Sequence, residues 1–380
     1  MKLLFVINNL VPGGVLSSLE CIINNLSGEY DINVLPLSLE GDTNVSFKKN
    51  LISHKLLHLY CQSLRSQKGY WWLLAYCFKI VKKNKISNLL NFERSFYTYI
   101  ARDIDSKYNY NYIISFQDRP TAVFCQYFSN NKIAWIHCDY PVLMGKKEDY
   151  SFFERYRQII CVSNFTANNF KSYYPMLDVP ISSIYNLQDY ERIINLGSID
   201  NGKILLDKKK FIIVTLGRIA KYKRMYAIPK IASEIKNKGC DFIWYIIGSG
   251  NIEDESYLRK EILRYNMEHH VCCLGYQKNP YFILRHANLL VSVSETEACP
   301  MIFNEARVFS VPIVSSDFGS SFEFIDNNVD GFIRTLETIP EVVSELIVNK
   351  SLYNKIKDKS RSRLIDNEQI KYSIRHLFNC

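Results

Sequence analysis

The sequence holds eleven cysteines in 380 residues but no Cys-x-x-Cys pair. That spacing is what a structural zinc module uses, so a zinc site is not expected. Cys77, Cys125, Cys161, Cys272 and Cys273 lie in apolar runs, which makes free buried thiols in a reducing, cytoplasmic compartment the expected state. The N-terminus, MKLLFVINN, meets polar Asn8 and Asn9 too early for the apolar core of a secretory leader. No apolar stretch is long enough to span a bilayer: the longest apolar-aromatic run, Tyr70 to Val81, is short and carries Lys79. The glycine pair near the N-terminus is not followed by Gly-Lys-Ser/Thr, which excludes a Walker phosphate loop. No internal repeat of about 20–50 residues is present, so solenoids and propellers are excluded. The basic residues are dispersed and no nucleic-acid motif occurs, so no nucleic-acid partner is expected.

What is present points to a globular chain with 47% hydrophobic and 22% charged residues. Its length predicts two domains of roughly 150–200 residues each. The formal charge of +9 implies anionic partners. Phosphorylated substrates, acidic lipid surfaces and nucleic acids all fit the sum alone.

Leu3 to Ile7 reads as a buried parallel strand that runs into Pro12-Gly13-Gly14 and a helical pattern through Leu26. Strand, glycine turn and helix let backbone N–H groups approach an anion or a sugar. Further strands are predicted at Ile32 to Leu37, Tyr112 to Phe116, Lys132 to Ile136, Gln158 to Val162 and Ile181 to Tyr185. His137 stands at the carboxyl end of the fourth of these six, where ligands gather in open α/β sheets. Asn164 is a candidate helix cap. Asp103-Ile104-Asp105 could hold a divalent ion in some transferases, but with no apolar strand before it the triplet reads as a solvated helix face. Arg65 to Lys85 combines Tyr70, Trp71, Trp72 and Phe78 with Arg65, Lys68, Lys79, Lys82, Lys83 and Lys85. Such a basic, aromatic helix fits an anionic membrane surface, and an ordinary amphipathic helix fits it too.

Leu187 to Lys210 is polar and ends in three lysines, which marks a domain boundary. The alternation then restarts with strands at Phe211 to Leu216, Phe242 to Ile247, Val271 to Leu274, Leu289 to Val293, Val311 to Val314 and Gly331 to Ile333. Two sets of alternating strands and helices predict two doubly wound α/β domains facing across a cleft. The carboxyl ends of the second set carry Gly217-Arg218 with Lys223, Gly248-Ser249-Gly250, Gly275, Glu295 with Glu297, and Asp317 with Gly319. Glycines let a backbone come close to a ligand. Two cations beside a helix start suit a diphosphate, and carboxylates accept hydrogen bonds from sugar hydroxyls. Pro300 suits the first turn of the helix after Glu297. On one continuous helix Glu297 and Glu305 would stand about 80° apart, so they read better as a loop carboxylate and a helix carboxylate holding two ends of one polyhydroxylated ligand.

In these residues the chain resembles the retaining nucleotide-sugar glycosyltransferases of family 4, which have the two-Rossmann GT-B fold. The resemblance is strongest from Phe211 to Ile333, where Gly217-Arg218-x4-Lys223 and Glu297-x7-Glu305 match the family's motifs. It implies that Arg218 and Lys223 bind the diphosphate of the sugar donor, Glu297 its sugar and Glu305 its ribose. It also implies that Gly13 and Gly14 lie near the donor and His137 near the transferred sugar. The expected organisation is an acceptor-binding domain over residues 1–190, a nucleotide-sugar domain over 191–360, and a final segment, 361–380, that returns to the first domain. The implied activity is transfer of a hexose from a UDP- or GDP-linked donor, with retention and without a metal or cofactor, because the cations stabilise the leaving diphosphate. The expected acceptor is lipid-linked or a surface polysaccharide such as capsule or lipopolysaccharide. The protein is then expected in the cytoplasm, peripheral on the inner face of the membrane through Arg65 to Lys85. Two rival readings are a nucleotide-sugar epimerase of the same fold and a non-enzymatic basic module. The sequence departs from the family pattern where glycine is common, with Arg224 after Lys223, Ala298 after Glu297, Ser310 before the next strand and Ser320 after Gly319.

Overall fold

Each half of the chain builds one all-parallel, six-stranded sheet. The computed structural model describes residues 1–41, 45–66, 89–200 and 206–379. The chain divides into a first unit, Met1–Gln188 with Glu368–Cys380, and a second unit, Asp189–Asn367. In the first unit the strands are β1 (Lys2–Ile7), β2 (Asp31–Pro36), β3 (Tyr112–Ser115), β4 (Asn131–Ile136), β5 (Gln158–Cys161) and β6 (Ile181–Ser183). Their order is β2-β1-β3-β4-β5-β6. The second unit has β7 (Phe211–Leu216), β8 (Phe242–Ile247), β9 (Val271–Gly275), β10 (Leu289–Ser292), β11 (Ile313–Ser316) and β12 (Phe332–Arg334), in the order β12-β11-β10-β7-β8-β9. Helices cover the faces, so central strands are apolar on both sides. Leu3, Leu4, Phe5 and Val6 are each 0% exposed, and each such side chain contributes about 1.5–3 kcal/mol relative to exposure.

Both sheets reverse direction once. In the first unit the reversal lies between β1 and β3, where Val6 pairs with Ser115. In the second it lies between β7 and β10, where Val214 pairs with Leu290. Chain crossovers leave on opposite sides at such a point and open a crevice beyond the carboxyl ends of the two strands, which is where open α/β sheets bind ligands. Beneath the second reversal a buried polar line ties three strands together. Trp244 Nε1 of β8 donates to Thr215 Oγ1 of β7 at 3.0 Å, and that hydroxyl donates to the Val291 carbonyl of β10 at 2.7 Å.

The terminal helix, Asn367–Asn379, packs with the first unit from Glu368 on. The Phe378 ring lies edge-on to Tyr30 and Tyr112, at 5.6 and 5.5 Å between centroids. Arg375 adds a two-pronged ion pair to Glu29, with Nε 2.9 Å from Oε2 and Nη2 2.7 Å from Oε1.

Several local expectations are corrected. The polar stretch Leu187 to Lys210 is not all linker: Tyr190–Gly197 is a helix of the second unit, capped by Asp189, whose carboxylate accepts the Arg192 N–H at 2.9 Å. The cap of the Asn164–Tyr173 helix is Ser163, whose hydroxyl accepts the Thr166 N–H at 3.2 Å; Asn164 instead accepts a hydrogen bond from Ser183 Oγ. Asp103 and Asp105 are not a bare solvated face. Asp103 takes Lys107 at 2.6 Å and His54 at 3.2 Å, and Asp105 accepts from Ser129 at 3.1 Å. No group of three or more His, Cys, Asp or Glu side chains is placed to hold a metal among the described residues, and no helix among them is long and apolar enough to cross a membrane. Residues 67–88, most of the proposed membrane-binding segment, lie outside the described residues.

Ser310 sits before β11 with φ +56°. The left-handed conformation costs an L-residue roughly 1–2 kcal/mol, which glycine does not incur. Its N–H bonds the Arg307 carbonyl at 2.9 Å as the Met301–Val308 helix ends. Ser310→Gly is therefore expected to raise stability by about 1 kcal/mol in chemical denaturation. An unchanged or lower midpoint would show that the turn is not strained.

Candidate functional site

The carboxyl ends of β7 and β10 carry the charges singled out in the sequence. After β7 the chain turns through Gly217 and Arg218 into a short helical turn, Lys221–Lys223. After β10 it runs through Ser294, Glu295 and Glu297 to the helix Met301–Val308. Lys223 Nζ and Glu297 Oε1 form an ion pair across the reversal point, with side chains only 18% and 17% exposed. Ser294 Oγ donates to the same carboxylate oxygen at 2.8 Å. A pair this sheltered is screened much less by salt than one at the surface. The structure thus joins two residues that the sequence assigned to separate parts of a ligand. Lysine has three donors, so Lys223 keeps two for an anion while Glu297 orients it. Arg218 is exposed and has no hydrogen-bond or ion-pair partner among the described residues. Glu295 is also exposed.

Glu305 lies in the second turn of the Met301–Val308 helix. It accepts a hydrogen bond from the Tyr281 hydroxyl at 3.4 Å. The residue keeps some surface, but its carboxyl is packed around by protein. This burial raises its pKa from 4.5 to about 7, against a smaller lowering by Tyr281. Desolvation penalises the charged form, so near neutral pH Glu305 is divided between acid and carboxylate. Pro300 is the residue before that helix, one position earlier than the sequence suggested.

The helix itself is fixed from below by Arg307, which is 1% exposed. Arg307 Nη2 donates to the Phe324 carbonyl at 2.5 Å and stands 3.7 Å from Asp330, which Arg363 also approaches at 3.3 Å. Burial lowers the Arg307 pKa to about 10, with Asp330 opposing. Nothing in the local pattern distinguishes this arginine from a surface one.

The turn glycines fall on the same rim, but two of them meet protein rather than open space. A side chain at Gly248 would place its Cβ 1.8 Å from the Gly217 carbonyl oxygen, and at Gly250 2.0 Å from that of Ile219. The turns after β7 and β8 are therefore packed backbone to backbone, held by Gly217 N–H to the Ile247 carbonyl at 3.0 Å and Ile219 N–H to the Ser249 carbonyl at 2.9 Å. Gly275 continues this rim, and its carbonyl accepts the Gly248 N–H at 2.9 Å.

Gly13, Gly14 and His137 belong to the first unit. Gly13 and Gly14 start the helix after β1, and a side chain at Gly13 would meet open space. His137 follows β4. Its ring lies against Phe116 at 4.4 Å and Trp135 at 6.4 Å between centroids. Neither ring nitrogen has a hydrogen-bond partner among the described residues, and burial lowers the pKa to about 3. The imidazole is therefore neutral, with one donor and one acceptor unused.

Asp118, the first residue of the helix after β3, belongs to no motif in the sequence. It adopts φ +49° and is 8% exposed. Its Oδ1 accepts the N–H of His137 at 2.9 Å and of Cys138 at 3.2 Å, so it fixes the turn that carries the imidazole. The only available signal was an acidic residue at a strand-to-helix junction.

The description "Glycosyl transferases group 1" matches residues 199–367, nearly the whole second unit. An uncharacterized glycosyltransferase of Methanocaldococcus jannaschii is 25% identical over 173 residues, 44% of this chain and 42% of that protein. An Escherichia coli UDP-Gal:alpha-D-GlcNAc-diphosphoundecaprenol alpha-1,3-galactosyltransferase is 22% identical over 197 residues, half of each chain. The matches thus span about half the length of these curated relatives. Anabaena HepE, solved in complex with UDP and glucose, superposes over 100% of this chain and 99% of its own with TM-score 0.76 at 14% identity. That likeness is one of fold, and both units share it. Residues 199–367 are thus similar to the group 1 glycosyl transferases, within a chain of the GT-B fold.

Proposed function

We propose that the protein transfers a hexose from a nucleoside-diphosphate sugar to a saccharide or lipid-linked acceptor, with retention of configuration and without a metal. One observation carries this reading most: the Lys223–Glu297 pair spans the reversal point of the second sheet, with Arg218 exposed after β7. Lys223 and Arg218 bind the diphosphate, Glu297 a hydroxyl of the sugar and Glu305 the ribose. During transfer the bond from the anomeric carbon to the phosphate oxygen breaks and a bond to the acceptor oxygen forms. The electron pair leaves with the nucleoside diphosphate, where the two cations stabilise it. The acceptor proton passes to that departing oxygen on the same face, which retains configuration without a protein nucleophile. The neutral His137 ring suits hydrogen bonding to a saccharide hydroxyl in either direction.

The first unit is assigned the acceptor, by analogy with its place in the fold. The acceptor's lipid-linked nature is supported by the E. coli relative, whose name specifies a diphosphoundecaprenol substrate. A lipid-linked acceptor supports action at the inner face of the membrane, in the making of a capsule or lipopolysaccharide. A thermal-shift titration tests the reading of the sugar donor. UDP or GDP is expected to raise the melting temperature by several degrees, because a ligand that binds only the folded state stabilises it. No shift with either nucleotide at millimolar concentration would overturn it.

A further inference from the structure

The loop between Val293 and Glu297 is held from three sides by side chains, two of them at positions where the resembled family commonly has glycine. Arg224 has φ +48°, a conformation an arginine adopts at a cost. From there its Nε donates to the Val293 carbonyl at 3.1 Å and its Nη2 to the Ser294 carbonyl at 2.7 Å. Ser320 is 0% exposed, and its hydroxyl donates to the Glu297 carbonyl at 2.6 Å. Ser316 Oγ donates to the Ser294 carbonyl at 2.6 Å. The backbone contributes as well, since the Glu295 N–H donates to the Tyr222 carbonyl at 2.7 Å. A loop of five residues thus has four of its backbone polar groups bonded to the β7 turn, β11 and the turn after β11. Left-handed strain at a non-glycine residue persists where the surroundings over-determine it, and it concentrates at functional sites.

We infer that Arg224 and Ser320 are positioning residues, a clasp that fixes the loop so that Glu297 meets Lys223 before any ligand arrives. The inference rests on the reading of this rim as the sugar-donor site. Its consequence is that the donor meets an ordered loop and does not bear the entropy of ordering it. Arg224 touches no ligand in this account; it acts through Val293 and Ser294. In the family, glycine at its position would leave the loop without this tether.

Three variants of the full chain test the clasp. Arg224→Gly keeps a residue free to adopt φ +48° but removes both hydrogen bonds. Ser320→Ala loosens the loop from the other side without adding a glycine. Arg224→Lys restores one donor. Hydrogen exchange without ligand is read at the Glu295 amide and its neighbours, and UDP and GDP affinities are measured beside it. In Arg224→Gly and Ser320→Ala, exchange at residues 293–297 is expected to rise by about tenfold or more while the β7 and β10 amides keep their protection. Affinity for the nucleotide the wild type binds is expected to fall by about tenfold, and Arg224→Lys to recover part of both. Wild-type exchange in both variants, or an equal loss of protection throughout the second unit, overturns the clasp. If neither nucleotide binds the wild type, the donor reading fails, and the exchange pattern alone decides the clasp.

Discussion

Replacing Lys223 with alanine is expected to lower sugar transfer by about 10²–10³-fold, the loss typical of removing one group that stabilises charge on a leaving oxygen. The effect should fall mainly on kcat. Charge on the diphosphate increases as the glycosidic bond breaks, so the lysine gains more in the transition state than in the ground state. Its position supports that role: Nζ is anchored on Glu297 Oε1, itself bonded by Ser294 Oγ at 2.8 Å. Glu297→Ala removes the anchor and should reduce transfer by a similar factor, because the ammonium then loses its orientation as well as its partner. The double variant should be little worse than either single one, since groups that act as a unit are not additive. Full additivity, with each loss multiplying the other, would mean that the two residues serve separate parts of the ligand, as the sequence motif suggested.

Nucleotide binding is expected to weaken about tenfold for each unit that pH falls below about 7, and to level off above it, as required when a ligand needs the ionised form of one group. The group is Glu305, whose pKa is raised to about 7 by burial. Ribose hydroxyls donate hydrogen bonds, and such bonds favour the carboxylate. Below pH 7 the proton must leave before they form. Glu305→Gln should flatten this profile, because an amide of the same shape does not titrate.

Stability has the opposite sign. The folded pKa lies above the unfolded value of 4.5, so the folded state holds the proton more tightly. The contribution to stability is full below the unfolded pKa and is lost as pH rises through about 7. Glu305→Gln is thus expected to melt at higher temperature than wild type at pH 8 and to lose that advantage at pH 5. A pH-independent affinity in the wild type, or the same slope in Glu305→Gln, would remove Glu305 from the ribose site.

The strands were legible where the apolar run is continuous and bounded by turns. Phe211 to Leu216 and Phe242 to Ile247 run as read, each ending at a glycine turn. The strand expected from Val311 begins instead at Ile313, because Ser310 turns left-handed and Pro312 has no N–H for a ladder. The helix Tyr190–Gly197 was hidden in a polar stretch; only Ile193 and Gly197 of it are buried. The positions of Lys223 and Glu297, after β7 and β10, were also legible. Their partners were not. Lys223 and Glu297 are 74 positions apart, and their pairing depends on β7 and β10 lying side by side. The same holds for Arg224, which in sequence is only a missing glycine, and for Arg307, whose buried role depends on Asp330 and the Phe324 carbonyl. Asp118 is legible only as a carboxylate near a helix start, until β3 and β4 are placed together.

Calorimetric titration of UDP and GDP into the wild type and the Lys223→Ala/Glu297→Ala double variant at pH 8 tests the central claim most directly. One nucleotide is expected to bind the wild type at a single site and to lose at least about tenfold in affinity, roughly the 1.4 kcal/mol that such a factor represents, in the double variant. Equal binding to both proteins, or no binding of either nucleotide to the wild type, would contradict it.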